Sequence, residues 1–282
     1  MMDNRIYTFL KLCELMNYRK TAAALNMTQP SVTQHIHFLE EEYGCRLFTY
    51  NNRVLKKTKE CLELERYSRS MVYNDKVFRK HLCQKEALNL SVGATKTIGD
   101  YAITDMIPSL LLRDDINLEL IIDNTENLLN KLNNLELDIL LVEGYIDKNA
   151  YGHKLIRREE LKGICSPEHR FAGKEIPLED LFNEHIILRE DGSGTRAIFE
   201  HFLHEHGYSN ENFYRKSQIS SFKLISRSVA KNCGISFVYE SILDNNPDIA
   251  SFTLKDERIF HEFNYVFLKN TNVEQYLNLL QF

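Results

Sequence analysis

The sequence predicts a multidomain α+β protein: a small helical unit ending in a hairpin, then one long helix, then a larger α/β region with two lobes. Three observations carry this. Residues 18–48 read as two short helices joined by a tight turn. Residues 59–86 contain no Gly or Pro and keep a helical pattern. After residue 88, short apolar strands alternate with amphipathic helices. The chain has 282 residues, more than one typical domain, and its 43% hydrophobic and 27% charged residues are a globular composition.

The first element is a helix over residues 4–14, with Ile6, Phe9, Leu10 and Cys13 on one face. A second, alanine-rich helix covers about 18–25, and Asn26-Met27 makes the turn. Thr28 suits an N-cap, and Pro30 is tolerated in the first turn, where its missing N–H costs little. The third helix runs to about Tyr43, with Val32, Ile36, Leu39 and Tyr43 as its inward stripe. Gly44 stops it at the C′ position. Thr28, Gln29, Ser31, Thr33, Gln34 and His37 face outward. A helix with polar tips of this kind fits a DNA major groove. Gln34 suits a bidentate contact with adenine, and Thr33 or Pro30 suits a thymine methyl. Spacing alone fits an ordinary helical hairpin with a solvated face equally well.

Residues 46–58 form a hairpin or wing turning at Asn51-Asn52, because Asn tolerates positive φ. Its Arg53, Lys56 and Lys57 suit phosphate contacts. In the long helix Leu64, Met71 and Phe78 recur every seven residues, with Tyr67 and Leu82 beside them. That stripe suits pairing with another helix, from a second subunit or from the same chain. The expected division is 1–58 for the small unit, 59–88 for the linker helix and 89–282 for the α/β region.

In the α/β region strands are expected at Leu88–Ala94, Leu118–Ile122, Asp138–Val142, Lys162–Ser166, Ile186–Leu188, Lys216–Ile219, Ile235–Val238 and Glu262–Leu268. Helices are expected near 99–113, 125–135, 177–183, 195–206, 222–232 and 273–281. Such alternation implies a mostly parallel sheet. So many strands imply two lobes with a cleft, lobe I at about 89–161 and 256–282 and lobe II at about 162–255.

Charge separates the same parts. Residues 1–88 carry 15 Lys+Arg against 10 Asp+Glu, and residues 89–282 carry 20 against 30. A basic reader joined to an acidic domain would give this asymmetry, which also arises in ordinary chains. The six cysteines are scattered, with no C-x-x-C pair, and are expected to be mostly small buried hydrophobes. No apolar run reaches membrane-span length and no signal-peptide core follows Met1, so no membrane role and a cytoplasmic location are expected.

Three strand-to-helix junctions carry hydroxyls: Thr95-Lys96-Thr97, the run Gly192-Ser193-Gly194-Thr195-Arg196, and Ser220-Ser221. Exposed N–H groups and hydroxyls at such junctions suit an anion, although each also reads as plain helix capping. No G-x-S-x-G, H-E-x-x-H or G-x-G-x-x-G motif is present, which argues against an enzyme. His201 and His204 sit on a polar helix face and read as solvated rather than metal-binding, so no metal and no cofactor are expected.

An ordered run of residues then resembles the LysR-type transcriptional regulators over nearly the whole chain. It comprises Phe9, Ala22-Ala23, Leu25, Gln29-Pro30-Ser31-Val32-Thr33, Ile36, Leu39-Glu40, Gly44 and Leu47-Phe48. Cys61 stands where the family's wing motif has Gly, and Gln34 stands where many members have Arg. Further on, Glu136-Leu137-Asp138 and Asn232-Cys233-Gly234-Ile235-Ser236 match two more family segments, with Asn232 in place of a Gly. Val142-Glu143-Gly144 and the 192–196 run resemble the branch of sulfur-assimilation and carbon-fixation regulators.

The resemblance implies a winged helix-turn-helix, a dimerisation helix and a periplasmic-binding-protein-like effector domain. It implies a homodimer or homotetramer on double-stranded promoter DNA, and a small, anionic effector held by Thr95, Thr97, Glu143, Ser193, Thr195 and Ser221. Peroxide-sensing members keep a cysteine pair near residues 193–205, where this chain has none.

Overall fold

The computed structural model describes residues 3–52, 54–82, 87–243 and 246–280. Arg53, Cys83 and residues 83–86, over which the long helix is expected to continue, lie outside the described residues, as does residue 281. The chain forms two compact units, Met1–Glu86 with Leu268–Glu274, and Ala87–Phe267 with Gln275–Phe282.

The first unit contains α1 (Asn4–Leu15), α2 (Tyr18–Ala24), α3 (Gln29–Tyr43), the hairpin β1 (Phe48–Asn51) and β2 (Val54–Lys57), and α4 (Lys59–Leu82). Local chemistry sets each boundary. The side chains of Asp3, Asn17 and Thr28 accept N–H groups at the starts of α1, α2 and α3. Gly44 ends α3 at φ +63°. Thr58 donates to the carbonyls of Arg46 and Leu47 and accepts from the Cys61 N–H, so it closes the wing and opens α4 together. The core joins Ile6, Phe9, Leu12, Ile36, Leu39, Leu47, Phe48 and Leu55. Truncating a side chain as buried as Phe9 costs about 3–5 kcal/mol.

The expected stripe of α3 holds at Val32, Ile36 and Leu39 but not at Tyr43, which is 49% exposed. Tyr43 has the right phase but lies in the last turn before Gly44, where a tyrosine keeps half its surface in water. Cys61, at the position where a glycine is usual, is buried with its thiol 3.8 Å from that of Cys13. Burial, then the hydrogen bond between the two thiols, pushes the Cys13 thiol far up. Glu65 accepts Lys57 at 2.6 Å and Arg69 at 2.7 Å, pinning the wing to α4 through a largely buried ion triad. Ser70 and Asn74 donate to the carbonyls of Lys269 and Asn270, which holds residues 268–274 on α4.

The second unit contains β3 (Leu88–Thr95), a π-helical turn at Ile98–Ala102, α5 (Met106–Leu111), β4 (Ile116–Asp123), α6 (Thr125–Asn133), β5 (Ile139–Val142), β6 (Tyr151–Cys165), β7 (Glu175–Ile176) and β8 (His185–Leu188). It continues with α7 (Gly194–Glu205), β9 (Arg215–Gln218), α8 (Phe222–Ala230), β10 (Ser236–Tyr239), α9 (Glu240–Leu243), β11 (Ala250–Leu254) and β12 (Ile259–Leu268). The stretches Leu178–Asn183 and Asn272–Leu279 are 3-10 helices. The strand order is β4-β3-β5-β12-β6-β11-β7, with β10 also paired to β6. In lobe I, β3 lies parallel between β4 and β5. In lobe II, β8 and β9 are parallel, and β10 and β11 run antiparallel to β6.

The sheet is therefore mixed rather than mostly parallel, because β6 and β12 run against their neighbours. β6 is also far longer than the expected 162–166 strand, at 15 residues. Its N-terminal part lies beside β12, and its C-terminal part pairs with β10 and β11, so it serves both lobes. The single helix expected near 99–113 is broken at 103–105, since Pro108 fits only the first turn of a new helix. Asp138 explains one family segment: its carboxylate accepts the Ser91 N–H at 2.8 Å, fixing β5 against β3. Asn232 takes the left-handed conformation, φ +57°, that a glycine would otherwise supply. Cys165 is buried, whereas Cys233 is exposed and departs from the expected buried cysteines.

Candidate functional site: a helical reading face and an interlobe hydroxyl cradle

The first candidate surface lies on α3. Its buried side carries Val32, Ile36 and Leu39, and its other side presents Thr28, Gln29, Pro30, Thr33, Gln34 and His37 to solvent, with Ser31 half-buried. The Thr28 hydroxyl is 2.8 Å from that of Ser31, and Thr33 donates to the Gln29 carbonyl at 3.1 Å, so both side chains are held to the helix surface. His35 points back instead, its Nδ1 2.9 Å from the buried Thr8 hydroxyl, which pins α3 onto α1. The Arg5 guanidinium lies 3.5 Å over the Phe38 ring. Glu40 accepts the N–H groups of Leu47 at 2.8 Å and Phe48 at 3.4 Å and pairs with Arg46 at 2.9 Å. The Leu-Glu pair of the sequence thus divides its roles, with Leu39 entering the core and Glu40 anchoring the root of the wing.

On the wing, Lys56 is exposed and Lys57 is engaged by Glu65. Along α4, Tyr67, Met71, Phe78 and Leu82 are exposed, while Leu64 packs partly against the unit's core. The apolar ridge seen in the sequence therefore stands open to solvent over most of its length.

The second candidate lies in the other unit, where two of the three hydroxyl junctions meet. Thr95 at the end of β3, Thr97 just beyond it, Glu143 after β5, and Ser193 and Thr195 at the start of α7 are all buried. Thr95 donates to Glu143, and the Thr97 and Thr195 hydroxyls are 3.3 Å apart across the two lobes. Ser221 does not join them: its hydroxyl accepts the Leu224 N–H as the cap of α8, and among the described residues it makes no hydrogen bond to this group.

The centre of the cradle is thus a carboxyl of the protein itself. Burial drives the Glu143 carboxyl up to about 7, against hydrogen bonds from its own backbone, Thr97 and Thr195 and the nearby Arg189 charge, which pull it down.

Side chains not marked by the sequence reading surround it. Lys96 of lobe I reaches Glu190 of lobe II at 2.8 Å, and the buried Arg189 meets the same carboxylate at 2.9 Å. Burial raises the Glu190 carboxyl, but hydrogen bonds from Arg189 and Lys96 outweigh it and hold the group at about 2. Arg196 donates to the Gln218 side chain at 2.7 Å and to Glu200 at 2.6 Å, bracing the start of α7. The hydroxyl pattern marked the junctions, whereas the interlobe ion pair of Lys96 with Glu190 joins residues far apart in the chain and leaves no local signal.

The lobes also touch backbone to backbone. A Cβ at Gly194 would lie 2.9 Å from the Gly144 Cα, so only glycine permits this approach. The exposed His201 and His204 face solvent, and no group of three potential metal ligands occurs among the described residues.

Two family models match the chain. Residues 4–62 match the bacterial regulatory helix-turn-helix protein of the lysR family, and residues 84–281 match the LysR substrate binding domain. The chain is 30% identical over 243 residues to the HTH-type transcriptional regulator CysL of Bacillus subtilis, covering 84% of this chain and 80% of that protein. It is 25% identical to a probable RuBisCO transcriptional regulator of Cyanidium caldarium, over 81% and 74% of the two chains. Among solved structures, a full-length OxyR variant from Pseudomonas aeruginosa shares the fold with TM-score 0.60 at 19% identity, over 99% of this chain and 98% of that one. The Synechocystis CcmR regulatory domain in complex with 2-PG gives 0.61 at 21% identity, over 68% and 95%.

Proposed function

The chain belongs to the LysR family of transcriptional regulators, and from that premise we propose how its two sites work together: α3 reads promoter DNA, and a small anion in the interlobe cradle sets the lobes. The observation that carries the second half is the closed group of Thr95, Thr97, Glu143 and Thr195. Residues 1–58 are the reader, 59–88 the linker and 89–282 the sensor, with lobe I at about 89–161 and 256–282.

In this reading Thr28, Gln29, Pro30, Ser31, Thr33, Gln34 and His37 approach base edges and flanking phosphates. Arg53 and Lys56 hold the backbone, and Lys57 supports the wing through Glu65. The exposed ridge of Tyr67, Met71, Phe78 and Leu82 is buried against a second subunit, giving a homodimer or a homotetramer on a partly symmetric site. The protein acts in the cytoplasm, where its DNA is, and needs no cofactor beyond the effector.

The cradle offers hydroxyls, the Ser193–Gly194 helix start and the buried Arg189 charge. An anion must share it with Glu143. A carboxyl near 7 takes up a proton at little cost, so anion binding is coupled to protonation of Glu143 and tightens as pH falls. The anion changes DNA binding only through its unequal affinity for the open and closed lobes.

The test is a mobility-shift titration of the purified protein on DNA from its own upstream region. Binding should weaken steeply with salt, and a thermal-shift screen of small carboxylates and phosphorylated metabolites should find a stabilising anion. Absence of binding to any upstream fragment at low salt would sink the assignment of α3 as reader. A Thr195→Ala protein that folds but loses basal DNA binding would sink the separation of the two sites.

A further inference from the structure

A hollow of about 420 Å3 opens over the strands shared by the two lobes, on residues that the cradle does not use. We propose that it is a second small-molecule site, for a planar carboxylate that carries a hydrogen-bond donor away from the carboxylate. Its volume lies in the range of roughly 300–1,000 Å3 typical of ligand pockets.

The residues around it fix the chemistry. Asn264 on β12 lines the hollow, is 3% exposed, and its side-chain oxygen has no hydrogen-bond partner among the described residues. A buried polar atom without a partner is rare in folded proteins and here points to a donor from an occupant. Phe260 and Tyr145 line the hollow while remaining largely exposed, and they offer flat apolar surface. Tyr145 is held in place by edge contacts to His201 and His261, with ring centres 5.3 and 5.1 Å away.

Lys148 and Arg158 also line the hollow, and both meet Glu262, at 2.8 and 3.1 Å. Hydrogen bonds from those two cations hold the Glu262 carboxyl down at about 2, so it stays ionised. Two cations against one carboxylate leave a net positive charge with free N–H donors at the edge of the site. A carboxylate there, a flat body on Phe260 and Tyr145, and a donor reaching Asn264 satisfy every group.

Position gives the site a consequence. Its walls come from the connection after Gly144, from β6 at Arg158, and from β12 at Phe260 to Asn264. β6 and β12 are the strands that pass between the lobes, and Gly144 follows Glu143 directly in the chain. An occupant therefore contacts both shared strands and the connection that carries the cradle carboxyl.

The experiment uses the full-length protein and three probes, 3-hydroxybenzoate, 4-hydroxybenzoate and benzoate, followed by calorimetry. At least one hydroxylated probe should bind about tenfold tighter than benzoate, since only it reaches Asn264 with a donor. Lys148→Met or Arg158→Met should each weaken it by about tenfold. Both side chains are exposed, so these variants keep the fold even if Asn264→Leu does not. Thr195→Val, in the cradle, should leave the affinity within about twofold. The proposal is overturned if none of the probes binds, if binding survives both cation substitutions unchanged, or if Thr195→Val abolishes it.

Discussion

The buried carboxyl of Glu143 makes a quantitative prediction. In the unfolded chain it ionises near 4.5, and in the folded protein burial moves it to about 7. Below pH 4.5 both states hold the proton and the group is neutral toward stability. Between 4.5 and 7 the unfolded chain releases the proton while the folded protein retains it, so stability falls as pH rises; above 7 the loss is complete. At about 1.36 kcal/mol per pK unit the full loss is roughly 3 kcal/mol. Glu143→Gln keeps the shape and removes the titration. For a sensor of this size, 1 kcal/mol moves Tm by about 2–4 °C. The variant should therefore melt roughly 6–12 °C higher than the natural protein at about pH 8 and converge with it near pH 4.5. The assay is calorimetric unfolding of both proteins without effector across that range. Parallel curves, or a gap that widens toward acid, would refute the account of a carboxyl confined among hydroxyls.

Four further outcomes follow from the geometry. Gly194→Ala places a methyl against the Gly144 backbone, so it should hold the lobes apart and weaken the effector's stabilisation by about 1–3 kcal/mol, readable as a reduced ligand-induced Tm shift. Gln34→Ala should relax base preference at one operator position and cost about 1–3 kcal/mol on the best site, whereas Lys56→Ala should weaken all sequences alike and reduce the salt slope by about one, both measured by titration of operator and scrambled DNA. Phe78→Glu on the exposed ridge of α4 should shift the protein toward monomer in sedimentation velocity, while the isolated subunit's melting changes by no more than about 0.5 kcal/mol.

Elements with a strong local signature were legible in the sequence. Thr28, Pro30 and Gly44 bracketed α3 because capping and left-handed geometry are short-range demands, and the apolar runs gave β3, β5 and β8 for the same reason. The N-terminal part of β6 was not legible, because Arg157, Arg158, Glu159 and Glu160 break any alternation. Arg158 pairs with Glu262 and Glu160 with Arg258, partners far along the chain that no reading of neighbours finds, while Arg157 pairs with Glu159 on the same strand. The ion pair of Lys57 was hidden for a similar reason, since its partner Glu65 belongs to the next helix. In the cradle the hydroxyls were visible as junction chemistry. That Glu143 would sit among them depends on β3 and β5 lying side by side, a property of topology alone. Ser221 shares the same local pattern, and its hydroxyl caps its own helix by accepting the Leu224 N–H.

The carboxylate of Glu40 has a consequence for how an operator is measured. Because it clasps the main chain at Leu47 and Phe48, α3, the proposed reading helix, and the hairpin beside it are held together as one gauge. A gauge has no local adjustment. Inserting one base pair between two half-sites moves the second by about 3.4 Å and turns it by about 34°, and no rotation of α3 against its wing can absorb that. The correction must come from the joint between subunits or from bending of the DNA itself. In the proposed reading, spacing is therefore selected alongside sequence, and a promoter of the right letters at the wrong pitch is bound only at the cost of straining the subunit joint or the DNA.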